Sequence, residues 1–586
     1  MTLLLADYKD ATTAERVLVE FWVTLKVDFE CANERRLAEL ELTAILGQDV
    51  SINRGDTIVY PVEQPKVLCD AEYLYVIAGD VNLGKALRRL SYWHSIILKR
   101  HDLGHVDAKL RNLLVRETQD YVEILTASTL LERSPYLNFD ITKITAKEGY
   151  LLTGDTNSLA ETRIKVKGAH DRKRNVYLSH DFHKYKAKFF PRMARALINI
   201  TCPDDKDILL DPFCGSGTAN VEATIMGLSS VGTDIDPLSV FISQQKSNLE
   251  LNSNEDVISA LCNIPSVVGD VKAIFKLPKF LLRDRAVHLT GAVAEAIEAE
   301  VGEVLSRAQQ IKNAHAKSLA QLCISHALAT KISLRWMGTG DNRFSVEVSK
   351  RSFTANFHSQ IKLIFTRLKQ YISMRDAGVI SNSVTPVFKV ADIADLPLPS
   401  GSISGIVTSP PYLPASSGRE TYLRSRAASL IALGLMSEEE VIARESGLIG
   451  SIMAKPDFKA KLPKDVIRLV EWMQPQRARG PKALPTLAYF EKMILALEQM
   501  ARVLEPGGKV AFVVSRYHSF YELATKVVVE KFDMVKNIVE LIEESDGAIP
   551  FKFIESINIE LGKADFKARP AGQNAYFEAV ILLQRL

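Results

Sequence analysis

The sequence predicts an α/β fold: a parallel sheet covered by helices, carrying a helical insertion and preceded by an α+β unit. Three observations lead there. From about residue 205 onward, short apolar runs end in Gly, Asp or Pro and pass into helical segments, the signature of successive βα units. A stretch from roughly 251 to 383 then separates the second of these strands from the third, far longer than an ordinary crossover. A chain of 586 residues also exceeds what one core usually organises, so two or three units are expected.

The elements follow in chain order. Residues 1–150 mix the strand-like VLVEFWVTLKV with the helix-like ERRLAELELTAIL and LGKALRRLSYWHSIILKRH, and read as an N-terminal α+β domain. The strands expected downstream are ILL before Asp211, SVG before Asp234, VFKV before Asp392, GIV before Thr408 and KVAFVVS from Lys509. NIVELI (537–542) and EAVILLQ (578–584) are expected to finish the sheet. Val293, Ile297, Val301 and Leu305 recur at four-residue spacing, as do Phe357, Ile361 and Phe365, so the insertion at 251–383 is expected to be mainly helical. A second excursion, 413–484, contains QPQRARGPKA and ends before the helical LAYFEKMILALEQMARVL.

Composition narrows the class. Hydrophobic content of 47% and charged content of 24% suit an ordinary globular protein, and no apolar run approaches the length of a bilayer span. The N-terminus carries acidic residues early and lacks a basic start before a longer apolar core, which points to a cytoplasmic protein. Cys31, Cys69, Cys202, Cys214, Cys262 and Cys323 form no CxxC pair and no close Cys/His cluster, so neither a disulfide framework nor a metal site is indicated. A net charge of +3 is too small to diagnose nucleic-acid binding. Between Arg163 and Arg195, however, eleven Lys or Arg stand against two Asp, among them Lys165, Lys167, Arg172, Lys173, Arg174, Lys184, Lys186 and Lys188. That stretch is a candidate phosphate contact or a solvated loop.

Three motifs carry chemistry. In LLDPFCGSGTANVEA a buried strand ends at Asp211, and Gly215 and Gly217 open the next helix, where α/β folds take nucleotide-like ligands. Asn220 breaks GxGxxG, and the Gly-Lys-Ser/Thr of a phosphate loop is absent. The strand SVGT then leads to Asp234 and Asp236, about twenty residues on, where an acidic side chain either accepts from ribose hydroxyls or caps the next helix. Finally, ADIADLPLPSGSISGIVTSPPYLP ends a strand at Ser409-Pro410-Pro411-Tyr412. The prolines stiffen that loop and leave carbonyls to accept from a ligand, while the tyrosine offers a stacking face.

In their order, DPFCGSGT, GTDIDP, VADIADLPLP and TSPPY resemble the amino-methyltransferases of the DNA N4-cytosine and N6-adenine type. The resemblance covers roughly 175–250 and 384–586, including ARVLEPGGKVAFVV and AYFEAVILLQR, and HKYKAKFFPRMARALI is similar to the family's segment over the methionine end of the cofactor. It implies a Rossmann-like class I methyltransferase fold, with the S-adenosylmethionine-dependent domain formed by 171–250 and 384–586. On that likeness Asp211, Phe213, Gly215 and Gly217 surround the methionine part of S-adenosylmethionine, with Lys188, Phe190 and Pro191 nearby. Asp234 binds ribose and Asp392 the adenine amino group. Ser409 and the Pro410 carbonyl accept from the target amine, Pro411 stiffens the loop and Tyr412 stacks on the base. Cys214 lies inside the glycine loop with no Pro-Cys pair elsewhere and reads as packing.

Ser at 409, rather than Asp or Asn, resembles the cytosine-N4 enzymes more than the adenine-N6 ones. DNA is the expected partner, with either insertion supplying target recognition, because Ser409 and the long insertion depart from the tRNA guanine-N2 relatives, whose loop is usually Asp-Pro-Pro-Tyr. The family's usual restriction-modification setting pairs such an enzyme with a cognate nuclease, and a solitary regulatory enzyme would carry the same residues. A fainter likeness of RRLAELELTAILG, RRLSYWHSI and FFPRMARALINI to THUMP-containing tRNA guanine-N2 methyltransferases keeps tRNA as the alternative substrate. A subunit that binds nucleic acid without catalysis is the remaining reading.

Overall fold

The computed structural model describes residues 18–26, 32–47, 51–53, 73–79, 82–106, 108–111, 114–117, 121–134, 176–185, 189–264, 274–282, 289, 291–336, 344–381, 384–413, 422–457, 461–477, 479–521, 528–560 and 577–586. Near the N-terminus, β1 (Leu18–Leu25), β2 (Ser51–Asn53), β3 (Tyr73–Gly79), β4 (Trp93–Lys99), β5 (Leu114–Glu117) and β6 (Tyr121–Leu125) form an antiparallel sheet in the order β2-β3-β1-β4-β6-β5. The helix Ala32–Leu46 packs between this sheet and the rest of the chain. The stretch LGKALRRLSYWHSIILKRH is not one helix. Asn82 caps a helix that ends at Arg89, and β4 follows, its residues buried on both faces as a central strand requires.

The principal sheet comprises β7 (Ile208–Asp211), β8 (Ser229–Asp234), β11 (Val387–Val390), β12 (Ile403–Thr408), β13 (Leu504–Ser515), β16 (Phe551–Glu560) and β17 (Phe577–Arg585). Between β8 and β11 the insertion carries the hairpin of β9 (Ile332–Trp336) and β10 (Phe344–Val348), and after β13 comes a second hairpin, β14 (Tyr517–Tyr521) with β15 (Val528–Asp533). The sheet order is β11-β8-β7-β12-β13-β17-β16, parallel through β13, with β17 antiparallel to both its neighbours. This is a Rossmann-like order that reverses between β7 and β12, so a crevice opens there at the carboxyl ends of the strands.

Alternation along the strands divides the core. Leu209, Val407, Ala511, Val513, Val580 and Leu582 face the helix Pro191–Thr201 and the N-terminal unit. Leu210, Ile406, Val510, Phe512, Val514, Ile581 and Leu583 face the helices Ala483–Val503 and Met534–Glu543. The central strands are thus buried on both sides, while the edge strands β11 and β16 are partly exposed. NIVELI lies within Met534–Glu543 and is helical, because Asp533 caps it by accepting from Val535 N at 3.0 Å and Lys536 N at 3.2 Å, and its apolar residues recur at helical spacing. The place expected for it in the sheet belongs to β16.

The 251–383 insertion is mainly helical, with Gly291–Gln309, Ala314–Lys331 and Phe353–Asp376 closing a core that includes Val301, Leu319, Cys323, Phe357 and Ile364. Residues of the second excursion, among them Leu423, Leu430 and Val441, join the same core. Of the basic stretch, 163–175 and 186–188 lie outside the described residues. Arg192 and Arg195 are not phosphate contacts, since they are 5% and 1% exposed and pair with Glu132 and Glu222. Among the described residues no helix is long and apolar enough to cross a membrane.

Candidate active site

Four strand ends meet at one cleft. After β7, Asp211 turns inward and accepts from Thr408 Oγ1 at 2.6 Å and from Phe213 N at 3.2 Å. Because Thr408 ends β12, this bond fastens the cofactor-type loop to the start of Ser409-Pro410-Pro411-Tyr412 across the switch point. Burial pushes the Asp211 carboxyl up to about 7.

The glycine loop is shaped by two left-handed residues, Gly215 at φ 51° and Gly217 at φ 73°. A Cβ on Gly215 would stand 3.2 Å from the Tyr185 hydroxyl, within the cleft, whereas one on Gly217 would fall 2.9 Å from the Ser243 backbone. Gly217 therefore serves the turn and close packing, and it does not line the cleft. Cys214 is buried, and burial together with Asp234 and Asp211 holds its thiol well above the usual range, which fits packing rather than nucleophilic work.

At the end of β8 the two acids divide their tasks. Asp234 accepts from Gly215 N and from Asp236 N, both at 2.9 Å, and so binds the glycine loop instead of capping a helix. The cap belongs to Asp236, which accepts from Leu238 N at 2.9 Å at the start of Pro237–Ser247. Burial and the neighbouring Asp236 push Asp234 up to about 6. Asp392, exposed at the end of β11, accepts from Ala394 N at 3.0 Å and lines the same cleft.

The catalytic-type loop is braced from behind. Tyr489 donates to the Pro411 carbonyl at 3.1 Å. Gly450 packs so closely that a Cβ there would lie 3.0 Å from the Tyr412 carbonyl and 3.1 Å from Pro411 Cβ. The Tyr412 hydroxyl reaches Glu578 of β17 at 3.4 Å, and burial with that carboxylate holds the phenol above its ordinary range.

The cleft lining brings together Asp211, Phe213, Gly215, Asp234, Asp392 and the whole Ser409–Tyr412 loop. Phe190 and Pro191 do not line it, since they open a helix whose residues turn into the core, and their neighbour Phe189 takes the place at the wall. Lys188 lies outside the described residues. Sequence reasoning missed Tyr185, Tyr422, Arg426 and the 447–449 segment, which also form the wall. Three of these lie in the second excursion, where no strand-end pattern marks them. The pairing of Tyr422 and Arg426 at four-residue spacing was the available signal. Among the described residues no group of His, Cys, Asp or Glu could hold a metal ion.

Comparison with known proteins agrees with both resemblances. Residues 181–270 match a family described as RMKL-like, methyltransferase domain. The chain is 22% identical over 57% of its length to the Type II methyltransferase M.BsoBI of Geobacillus stearothermophilus, covering 73% of that protein. It is 44% identical over 71 residues, 12% of its length, to the Type II methyltransferase M.MvaI of Kocuria varians, and so spans only 16% of that relative. Over 46 residues, 8% of the chain and 13% of the relative, it is 46% identical to the tRNA (guanine(10)-N2)-dimethyltransferase of Methanocaldococcus jannaschii.

Proposed function

We propose that this protein is an S-adenosylmethionine-dependent methyltransferase that modifies an exocyclic amino group of a nucleic-acid base, with cytosine N4 in DNA as the target. The observation that carries the reading is a single cleft holding the Gly215 loop, Asp234, Asp392 and Ser409–Tyr412 together. The residues present fit the cofactor: a side-chain-free face at Gly215, a carboxylate at the end of β8 for two ribose hydroxyls, and aromatic walls from Tyr185 and Phe189. Asp392 fits the adenine amino group. When bound, S-adenosylmethionine supplies an electrophilic methyl group.

The chain's own residues prepare the nucleophile. An exocyclic amine conjugated with its ring is a poor one. Acceptors at Ser409 Oγ and the Pro410 carbonyl hold its hydrogens and favour a tetrahedral nitrogen whose lone pair points along the line of attack. Tyr412 stacks on the base, and the bonds behind Pro411 and Tyr412 keep the acceptors from drifting. A base taken from duplex DNA first leaves the stack, at about a few kcal/mol.

The greater reach of the M.BsoBI likeness, and Ser409 at the loop, favour DNA and cytosine. The deciding experiment incubates the protein and labelled S-adenosylmethionine with unmethylated DNA or unmodified tRNA and identifies the nucleoside by mass spectrometry. N4-methylcytosine is expected. N6-methyladenine would correct the base, N2-methylguanine in tRNA would overturn the DNA reading, and no label in either would leave a binding subunit. Ser409→Ala with Tyr412→Ala is expected to lower turnover about 10²-fold or more, on the scale of losing one preorganised polar contact, while sparing cofactor affinity. Normal turnover in that variant would reject the catalytic assignment.

A further inference from the structure

Arg426 enters the cleft from the second excursion. Its guanidinium carbon lies 4.2 Å from the centroid of the Tyr185 ring, and Nη1 donates to the Asp236 carboxylate and, at 2.9 Å, to Ser239 Oγ. The Tyr185 hydroxyl meets the same Ser239 Oγ at 2.9 Å, so two distant segments close around one point on the helix Pro237–Ser247. The backbone presenting Arg426 is itself anchored. Buried Glu445 accepts from Tyr422 N at 2.9 Å and Arg424 N at 3.0 Å.

An exposed ion pair contributes little, but here the two side chains are 20% and 4% exposed and the cation lies on an aromatic face. The pair also stands beside a second carboxylate, Asp234, whose oxygens already serve the Gly215 and Asp236 amides.

We infer that Arg426 is a cofactor-positioning residue: paired with Asp236 over the Tyr185 ring, it relieves the repulsion between Asp236 and Asp234, so that Asp234 accepts from the ribose hydroxyls, and it ties the 422–449 segment to the occupied cleft. This inference rests on the cofactor reading above. Its consequence is electrostatic. Burial and Asp236 raise Asp234 to about 6, while Arg426 and the amides of Asp236 and Gly215 oppose the rise. Without the guanidinium, Asp234 takes up its proton nearer neutrality, and a protonated carboxyl is a poorer acceptor for two hydroxyls. The other titratable groups around the pair are Asp211, raised to about 7 by burial, the buried Cys214 and Tyr185, both raised, and exposed Asp392 across the cleft.

The test is calorimetric titration of the full chain with S-adenosylhomocysteine between pH 5.5 and 8.5. The proteins are the wild type, Arg426→Met, Arg426→Lys, Asp234→Asn and the Asp234→Asn/Arg426→Met double variant. Wild-type affinity is expected to fall below about pH 6, and the Arg426→Met curve to move upward by about one pH unit, with roughly twofold weaker binding at pH 7 that grows to nearly tenfold by about pH 5.5. Arg426→Lys should restore the wild-type midpoint with part of the affinity, because an ammonium keeps the charge and loses the planar stack. In the Asp234→Asn background the Met substitution should lose its pH-dependent effect. Two results would overturn the inference: an unchanged midpoint in a folded Arg426→Met protein, or an equal loss at every pH and in both backgrounds. Failure of the wild type to bind at any pH would remove the cofactor reading itself, and the inference with it.

Discussion

Glu222 is the most heavily committed side chain beneath the cleft. It accepts from the Tyr177 hydroxyl, from Arg195 Nε and from His180 Nε2, each at 2.7 Å, and it is wholly buried. Burial alone would raise its carboxyl, but the Arg195 guanidinium and the His180 and Tyr177 donors outweigh it and hold the group at about 2. A folded-state value below the ordinary one, about 4.3, means the carboxylate stabilises the fold fully above that ordinary value and loses this contribution as pH falls toward 2. Urea midpoints followed by circular dichroism should therefore drop between about pH 4.5 and 2. Glu222→Gln should flatten that limb and cost about 3–5 kcal/mol at neutral pH, because Arg195 is left buried without its counter-charge. An unchanged acid limb in the variant would refute the assignment. This network was invisible in the sequence: Tyr177, His180, Arg195 and Glu222 show no common spacing, and Arg195 reads there as one of many surface cations.

The elements were more legible, and the reason lies in how strand ends announce themselves. The runs ending at Asp211 and Thr408 are apolar because both faces of the central sheet are covered, and together with the small-residue run that ends at Asp234 they open into the cleft at their carboxyl ends. β16 was missed although FKFIESINIE alternates over much of its length, because the neighbouring NIVELI was given its place in the sheet. In a six-residue segment the helical spacing of Ile538, Leu541 and Ile542 is too short a signal to decide alone, and the cap at Asp533 was the signal that decides it. A tight seam between elements is at Gly405 of β12, where a Cβ would stand 2.5 Å from Cys202 Sγ and 2.6 Å from the Thr201 carbonyl. Gly405→Ala should force the helix Pro191–Thr201 off the sheet and cost about 1–3 kcal/mol in chemical denaturation. Because β12 ends at Thr408 and leads directly into Ser409, turnover should fall with it. A variant as stable and active as the parent would show that the seam yields.

At the scale of the whole molecule the N-terminal sheet is joined to the catalytic one, and of this the sequence offered only a domain end near residue 150 and a change of pattern from about residue 205. The junction is polar and buried. Arg89 donates from Nε to Asn199 Oδ1 at 3.0 Å, from Nη1 to the Pro203 carbonyl at 2.9 Å and from Nη2 to the Cys202 carbonyl at 2.5 Å. Asn199 Nδ2 donates to Glu41 Oε1 at 2.8 Å, and Glu41 also accepts from Ser91 N and Tyr92 N. The helix Pro191–Thr201 is therefore held on one side by the sheet through Gly405 and on the other by the N-terminal unit. Arg89→Met removes the donors while keeping most of the apolar stem, and it strands the Cys202 carbonyl and Asn199 Oδ1 in a buried junction, at about 1–3 kcal/mol for each group left unsatisfied, while the half-buried Pro203 carbonyl stays open to water. Calorimetry should then resolve an early transition of the N-terminal unit ahead of the catalytic one, whereas the parent is expected to melt as a single cooperative body. Saturating S-adenosylhomocysteine should raise only the later transition, by about 2.7 kcal/mol at a hundredfold excess over Kd, because it binds a cleft built by the other sheet. If both transitions rose together, the junction would transmit cofactor binding to the N-terminal unit without Arg89, and the helix Pro191–Thr201 alone would have to carry that coupling.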